Sequence, residues 1–223
     1  MDRIEDDRDA YATVGGVAGL RVYLVRHGES VNNAGEVLVE DPPLTALGRW
    51  QAARLAETWG RLPVDAIVCS PLWRSLETAT LLAARLTVPL IGWPELVEVN
   101  RSQPLDGHPS TEIHARFPHV SWEPSLDAVC WPLYPGEESE RDVAARAERV
   151  ATRLSARFPV SASVVLIGHA GFTQRLLRHW LGAPATTSFS SGNCHVHTLS
   201  LGDDGSVRLE GANASLQPPE PAL

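Results

Sequence analysis

Two hydrophobic patterns take turns along this chain. Short unbroken apolar runs predict buried strands, and longer stretches with an apolar residue every three or four positions predict amphipathic helices. The first run, Leu20–Val25, climbs directly into Arg26–His27–Gly28. Asp41–Pro42–Pro43–Leu44–Thr45 then forms a rigid entry to a helix, which Thr45 can cap. Leu44, Leu47, Leu55 and Trp59 lie near one face of that helix, and Gly48 inside it requires a close neighbour. Val64–Cys69 is a second strand. Ser70–Pro71 opens a helix with Ser at the cap and Pro at the first helical position, followed by the stripe Leu72, Leu76, Ala79, Ala83 and Leu86. Val88–Ile91 is a short third strand.

The second half keeps the alternation. Residues from about 100 to 136 are irregular and proline-rich, with one short helix near Ser110–Phe117. An insertion of that length makes a lid or a binding surface. Gly136–Glu137–Glu138–Ser139 opens a long helix, with Ser139 and Asp142 spaced as a capping box. Its buried face is Val143, Ala147, Val150, Ala151 and Leu154, and Arg141, Arg146, Glu148 and Arg149 are expected on a solvated face. Ser163–Ile167 is the strongest strand and ends in Gly168–His169. A helix with Phe172, Leu176, Leu177 and Trp180 follows, stopping near Gly182. A late strand over Asn193–Leu201 pairs with Ser206–Glu210 as a hairpin. The pattern gives one α/β domain over residues 19–211, a flexible arm over 1–18 and a disordered tail over 212–223.

Composition narrows the function classes. The chain has 223 residues, 43% of them hydrophobic, which is enough for a sizeable core. A formal net charge of -8 disfavours nucleic acid or an anionic membrane as a bulk partner. The three cysteines, Cys69, Cys130 and Cys194, are widely spaced and form no C-x-x-C pair. Neither a disulfide framework nor a thiolate zinc site is indicated, and the expected setting is the reducing cytoplasm. His108, His114 and His119 lack a helical pair or a nearby Cys, so zinc is not favoured there either. The acidic start of the chain has no apolar core behind it, and no apolar run is long enough to span a bilayer.

Candidate chemistry collects at the carboxyl ends of strands, where open α/β sheets bind ligands. Arg26 and His27 end the first strand, and His169 ends the strongest one. Arg74 stands in the first turn of its helix, where a cation opposes the helix dipole unless an anion is shared between the two. Two guanidinium groups and a second imidazole suit a tetrahedral dianion. His27, as neutral imidazole, can then attack phosphorus, with its other ring nitrogen oriented by a hydrogen bond. Asn33 lies just past His27 and can turn its amide toward the same place. Glu95 and Glu98 both fall in a mostly apolar stretch, and a carboxyl group shielded from water can serve as a general acid. Neither a Walker-type loop nor a metal-ligating pattern is present.

Taken together, these segments carry a resemblance. Val25–Arg26–His27–Gly28–Glu29–Ser30, Pro43–Leu44–Thr45 with Gly48 and Gln51–Ala52, Ser70–Pro71–Leu72 with Arg74 and Thr78–Ala79, Leu96–Val97–Glu98, Gly136–Glu137–Glu138–Ser139 and Ile167–Gly168–His169 stand in one order over residues 20–200. In this the sequence resembles the histidine phosphatase superfamily, in its phosphoglycerate-mutase-like branch. The resemblance implies a three-layer α/β/α sandwich with a mostly parallel sheet, an antiparallel edge strand and a lid insertion. It implies a phosphohistidine on His27, a phosphate pocket of Arg26, Arg74, His169 and Asn33, Glu98 as proton donor, and no cofactor. The family's Glu-Arg-His-Tyr-Gly run of glycolytic mutases is absent, and the loop after the acid departs from the family pattern at Arg101–Gly107. A phosphatase acting on a small phosphorylated molecule is therefore favoured over a phosphomutase or a non-catalytic phosphate-binding module. A homodimer is compatible with the sequence. Trp122, Trp131, Arg101, His108 and Arg116 in the insertion form either an apolar surface edged with cations or a small core of their own.

Overall fold

Strand β1 (Gly19–Arg26) explains why the first apolar run carries apolar residues at every position from 22 to 25. In the computed structural model, which describes residues 19–35, 41–59, 62–99, 108–123 and 137–216, both of its faces are covered. Tyr23 and Val25 face one core, and Leu20, Val22 and Leu24 face the other. The strands β2 (Ala66–Cys69), β3 (Leu90–Gly92), β4 (Ser121–Trp122), β5 (Ser163–Gly168), β6 (Val196–Gly202) and β7 (Val207–Ala214) complete a seven-stranded sheet in the order β4-β3-β2-β5-β1-β6-β7. The first five strands are mutually parallel, while β6 runs antiparallel to both β1 and β7. The antiparallel edge is thus a hairpin, with β7 outermost.

The described residues form six helices, α1 (Val31–Ala34), α2 (Ala46–Trp59), α3 (Trp73–Leu86), α4 (Ser110–Arg116), α5 (Glu140–Arg157) and α6 (Ala170–Leu181), of which the last five cover the two faces of the sheet. Helices α2, α3 and α4 pack on the face carrying Tyr23, Val25, Ile67 and Val165. Helices α5 and α6 pack on the face carrying Val22, Leu24, Val68 and Leu166. This is the expected α/β/α sandwich, and apolar residues on both sheet faces are what a doubly covered parallel sheet demands.

Several expectations change in detail. Helix α3 begins at Trp73, so Ser70 is not its cap and Pro71 is not its first residue. Its first N–H is taken instead by Asp41, whose two carboxylate oxygens both lie 3.1 Å from the Trp73 nitrogen. Arg146 is not on a solvated face: it is 1% exposed. Its place on α5 is turned inward because Glu138 waits there as a counterion. Trp122 belongs to β4 and packs on the core beside Gly92, where a Cβ would lie only 2.3 Å from its ring. Strand β7 runs through Ala214, so residues 212–214 pair in the sheet instead of belonging to a tail. The late strand begins at Val196 and not at Asn193, because Cys194 adopts a left-handed backbone just before it. The arm over 1–18, the loop over 100–107, Trp131, Cys130 and the tail beyond 216 lie outside the described residues.

Gly48 finds the close neighbour its position requires. A Cβ there would lie 1.9 Å from the Glu29 carbonyl oxygen, and one on Gly28 would lie 2.4 Å from the Gly48 oxygen. The loop leaving β1 thus rests directly on the first turn of α2, backbone against backbone. Gly48→Ala should push these backbones apart and cost roughly 1–3 kcal/mol of stability, the usual range for overpacking. Denaturant unfolding of the variant measures this, and an unchanged midpoint would remove the contact as a constraint on the loop.

Candidate active site

The ladder between β1 and β5 brings the two strand-end imidazoles together. Arg26 pairs with Gly168, and the His27 N–H donates to the Gly168 carbonyl at 3.0 Å, extending the ladder by one residue. The ring centroids of His27 and His169 are then 5.2 Å apart. Strand β2 is the other neighbour of β5, and the helix that follows it supplies Arg74. Beyond β3, a short 3-10 turn (Pro94–Leu96) delivers Glu98.

His27 is 4% exposed and strongly oriented. Its Nδ1 lies 2.6 Å from the Gly28 carbonyl oxygen. A carbonyl only accepts, so Nδ1 carries the hydrogen and Nε2 keeps its lone pair. That lone pair accepts from Arg74 Nε at 3.2 Å. Burial, then the nearby charge of Arg74, holds the His27 pKa well below 6.5, with Arg26 acting in the same sense and the Gly28 bond against it. The ring is neutral at pH 7, as a nucleophile must be.

His169 is fully buried and also held neutral, first by burial and then by Arg74. Its Nε2 is 2.8 Å from Ser70 Oγ, while its Nδ1 is buried with no hydrogen-bond partner among the described residues. Arg26 donates from Nη1 to the Ser191 carbonyl at 2.9 Å, and its Nε is likewise buried and unpaired among the described residues. Buried polar atoms left without a partner are costly and call for a ligand or other group to satisfy them.

Glu98 and Glu95 separate cleanly. Glu98 Oε1 accepts from the N–H groups of Val99 and Phe172, both at 2.8 Å, and Oε2 accepts from Gly171 at 3.0 Å. Two of these donors belong to the first turn of α6, directly after His169. Three N–H groups leave Oε2 one lone pair free to carry a proton. Glu95 instead pairs with Arg149 and Arg153 on α5, away from the imidazoles. Asn33 is exposed, and its Oδ1 is committed to the Ser30 N–H at 3.2 Å and to Asn193 at 3.3 Å. Its amide therefore reaches the edge of the site through Asn193, which donates to the His27 carbonyl at 2.9 Å.

The sequence reading missed Asp41, Ser70, Ser191 and Asn193. Asp41 Oδ1 lies 3.2 Å from Arg74 Nη1, so the anion that compensates the cation at the start of α3 is partly the protein's own. Burial raises the Asp41 pKa to about 6 against the opposing pull of Arg74. No local pattern signals such a pair, because its members are 33 positions apart. At the rim, His108 stacks on Trp73 at 3.9 Å and Arg116 lies over the same ring at 3.8 Å. His114 and His119 lie elsewhere, near Trp122 and Thr80, and no cluster of three metal-ligating side chains occurs among the described residues.

The chain is 32% identical over 174 residues to the adenosylcobalamin/alpha-ribazole phosphatase of Salmonella typhimurium, covering 75% of this chain and 83% of that protein. It is 30% identical over 169 residues to a Proteus mirabilis protein named a probable phosphoglycerate mutase, with 74% and 77% covered. Among solved structures it resembles a mycobacterial glucosyl-3-phosphoglycerate phosphatase in complex with VO3, at 29% identity and a TM-score of 0.63, covering 88% of this chain and 100% of that one. The family profile that matches residues 22–214 is that of the histidine phosphatase superfamily, branch 1. With that match spanning most of the chain, the protein belongs to the histidine phosphatase superfamily.

Proposed function

We propose that the protein is a phosphatase that hydrolyses a small phosphomonoester through a phosphohistidine on His27. The observation that carries this reading is the orientation of His27: a neutral ring with Nδ1–H bound to Gly28 and the Nε2 lone pair aimed at Arg74. In the first step Nε2 attacks phosphorus and the bond to the leaving oxygen breaks. Glu98 gives its proton to that oxygen. In the second step the Glu98 carboxylate takes a proton from water, the water oxygen bonds to phosphorus, and the P–N bond breaks. Arg26, Arg74 and His169 hold the phosphoryl oxygens throughout, which is most of what phosphoryl transfer asks of a protein.

Hydrolysis is favoured over exchange because the glycolytic-mutase run is absent, while the similar proteins carry both phosphatase and mutase names. Cys69 and Cys194 are buried and joined in no disulfide, which suits a reducing, cytoplasmic setting. No helix among the described residues is long and apolar enough to cross a membrane.

Rapid quenching with a labelled phosphomonoester should trap acid-labile, alkali-stable label on the protein, and His27→Ala should lose both label and turnover. Substantial turnover in that variant would put the nucleophile elsewhere, and phosphate passed between isomeric substrates without release would favour a mutase. Arg74→Ala should weaken vanadate inhibition by about 10–100-fold, the worth of a hydrogen bond to a charged group. Unchanged inhibition would remove Arg74 from the cage.

The same burial sets a pH dependence of stability. As pH falls through 6.5, the unfolded chain protonates both histidines while the folded protein, with His27 and His169 held well below that value, does not. Each ring therefore lowers stability below pH 6.5 and has no effect above it. Asp41 acts in the opposite sense, because its folded carboxyl protonates at about 6 and its unfolded one nearer 3.8. Two rings outweigh one carboxyl, so the denaturant midpoint should fall as pH is lowered from 6.5. The fall should be shallower in His27→Ala, and a flat wild-type profile would contradict the neutral pair.

A further inference from the structure

Arg146 is a charged side chain that the reaction described above does not use, yet it is 1% exposed. Its guanidinium meets four groups at once. Nε and Nη2 donate to the two carboxylate oxygens of Glu138 at 2.9 and 2.6 Å. Nη1 donates to the carbonyls of Glu95 at 2.9 Å and Val97 at 2.8 Å. The plane lies 4.2 Å from the centre of the Phe172 ring.

These partners have one thing in common. Glu95 and Val97 sit within and just after the 3-10 turn that leads into Glu98, and Phe172 is the residue whose N–H binds Glu98 Oε1. Arg146 thus grips the backbone immediately before Glu98 and the side chain of a residue that holds its carboxylate, without touching Glu98 itself. We infer that Arg146, anchored by Glu138, is a positioning residue that sets the Glu98 carboxylate against the leaving oxygen. This rests on the reading of Glu98 as proton donor.

Stability alone is a poor reason to bury such a pair. Taking two charges out of water costs about as much as their attraction returns, and apolar replacements of similar volume are often neutral or better. Geometry is a better reason. Only a guanidinium has a planar fork that can hold a carboxylate with one edge and two carbonyls with another nitrogen. A lysine keeps the charge and cannot make all four bonds. The Glu98 carboxylate also has little slack on its far side, since a Cβ on Gly171 would come within 2.6 Å of Oε1. A small shift of the turn would therefore displace the carboxylate from its donors.

The test uses leaving groups. A dinitrophenyl phosphate departs without needing a proton, whereas an alkyl phosphate needs one from the acid. In Arg146→Lys, kcat/KM for the alkyl ester should fall about 10–100-fold, the usual range for loss of an outer-shell partner, with the aryl ester changing less than about threefold. Vanadate inhibition, which reports the phosphate cage, should be unchanged. If Arg146→Lys does not fold, the double replacement Arg146→Met with Glu138→Leu leaves no buried charge unpaired and should give the same split. Equal losses on both esters, or no loss on either, would overturn the positioning role and leave Arg146 a structural residue. Glu98→Gln is measured alongside. If it shows no such split, the proton-donor reading fails first and the inference falls with it. If Glu98→Gln splits the esters and the Arg146 variants do not, the inference alone fails.

Discussion

The in-register pairing of β1 with β5 is the constraint on which the rest of this molecule depends. It fixes Arg26 opposite Gly168 and lets the His27 N–H take the last carbonyl of β5. Each strand is then followed by a histidine at the same carboxyl end of the sheet. The neighbouring strands extend the series, because β2 lies beside β5 and β3 beside β2. Reading across the sheet, the segments that follow β3, β2, β5 and β1 deliver Glu98, Arg74, His169 and His27. A slip of one residue in the β1–β5 register would turn the side chains of β1 to the wrong faces and part the two imidazoles.

Burial so close to two guanidinium groups decides the protonation states. With both histidines held neutral, the positive charge that faces them among the described residues includes Arg26 and Arg74. That division leaves the His27 ring neutral with a lone pair on Nε2, as the proposed attack on phosphorus requires. Arg74 is already shared with Asp41, so the start of α3 is compensated before any substrate arrives. Asp41 also takes the first N–H of that helix, so a single carboxylate answers both the helix dipole and the misplaced cation.

Much of this was legible in the sequence, for a physical reason. Strand-end motifs are local, so Arg26–His27–Gly28 and Gly168–His169 announce themselves by an apolar run that stops at a turn. The odd placement of Arg74 was visible because a cation at a helix start contradicts the dipole. What could not be read were pairings between distant segments. Asp41 meets Arg74, Ser70 meets His169, and Asn193 meets His27 only after the sheet has formed. Arg146 failed for a related reason. Its neighbours Arg141, Glu148 and Arg149 mark a polar helix face, and only the return of Glu138 and the turn before Glu98 makes an interior place for it.

The length of the sequence motif around His27 has its own explanation. Gln51 accepts from the Glu29 N–H at 2.8 Å, Thr78 accepts from the Gly28 N–H at 3.1 Å, and Thr45 donates to the Glu29 carboxylate at 2.8 Å. Gly48 lets the helix approach the same loop, and Leu44 donates its N–H to Glu77 on α3. None of these groups belongs to the proposed phosphate cage of Arg26, Arg74 and His169. Those of Gln51, Thr78, Thr45 and Gly48 converge on two residues, Gly28 and Glu29, and that stretch includes the carbonyl that fixes the His27 tautomer. An activity lost on replacing Gln51 or Thr78 would therefore not identify either as a catalytic group. It would report how tightly the Gly28 carbonyl must be held to keep the hydrogen on His27 Nδ1 and the lone pair on Nε2.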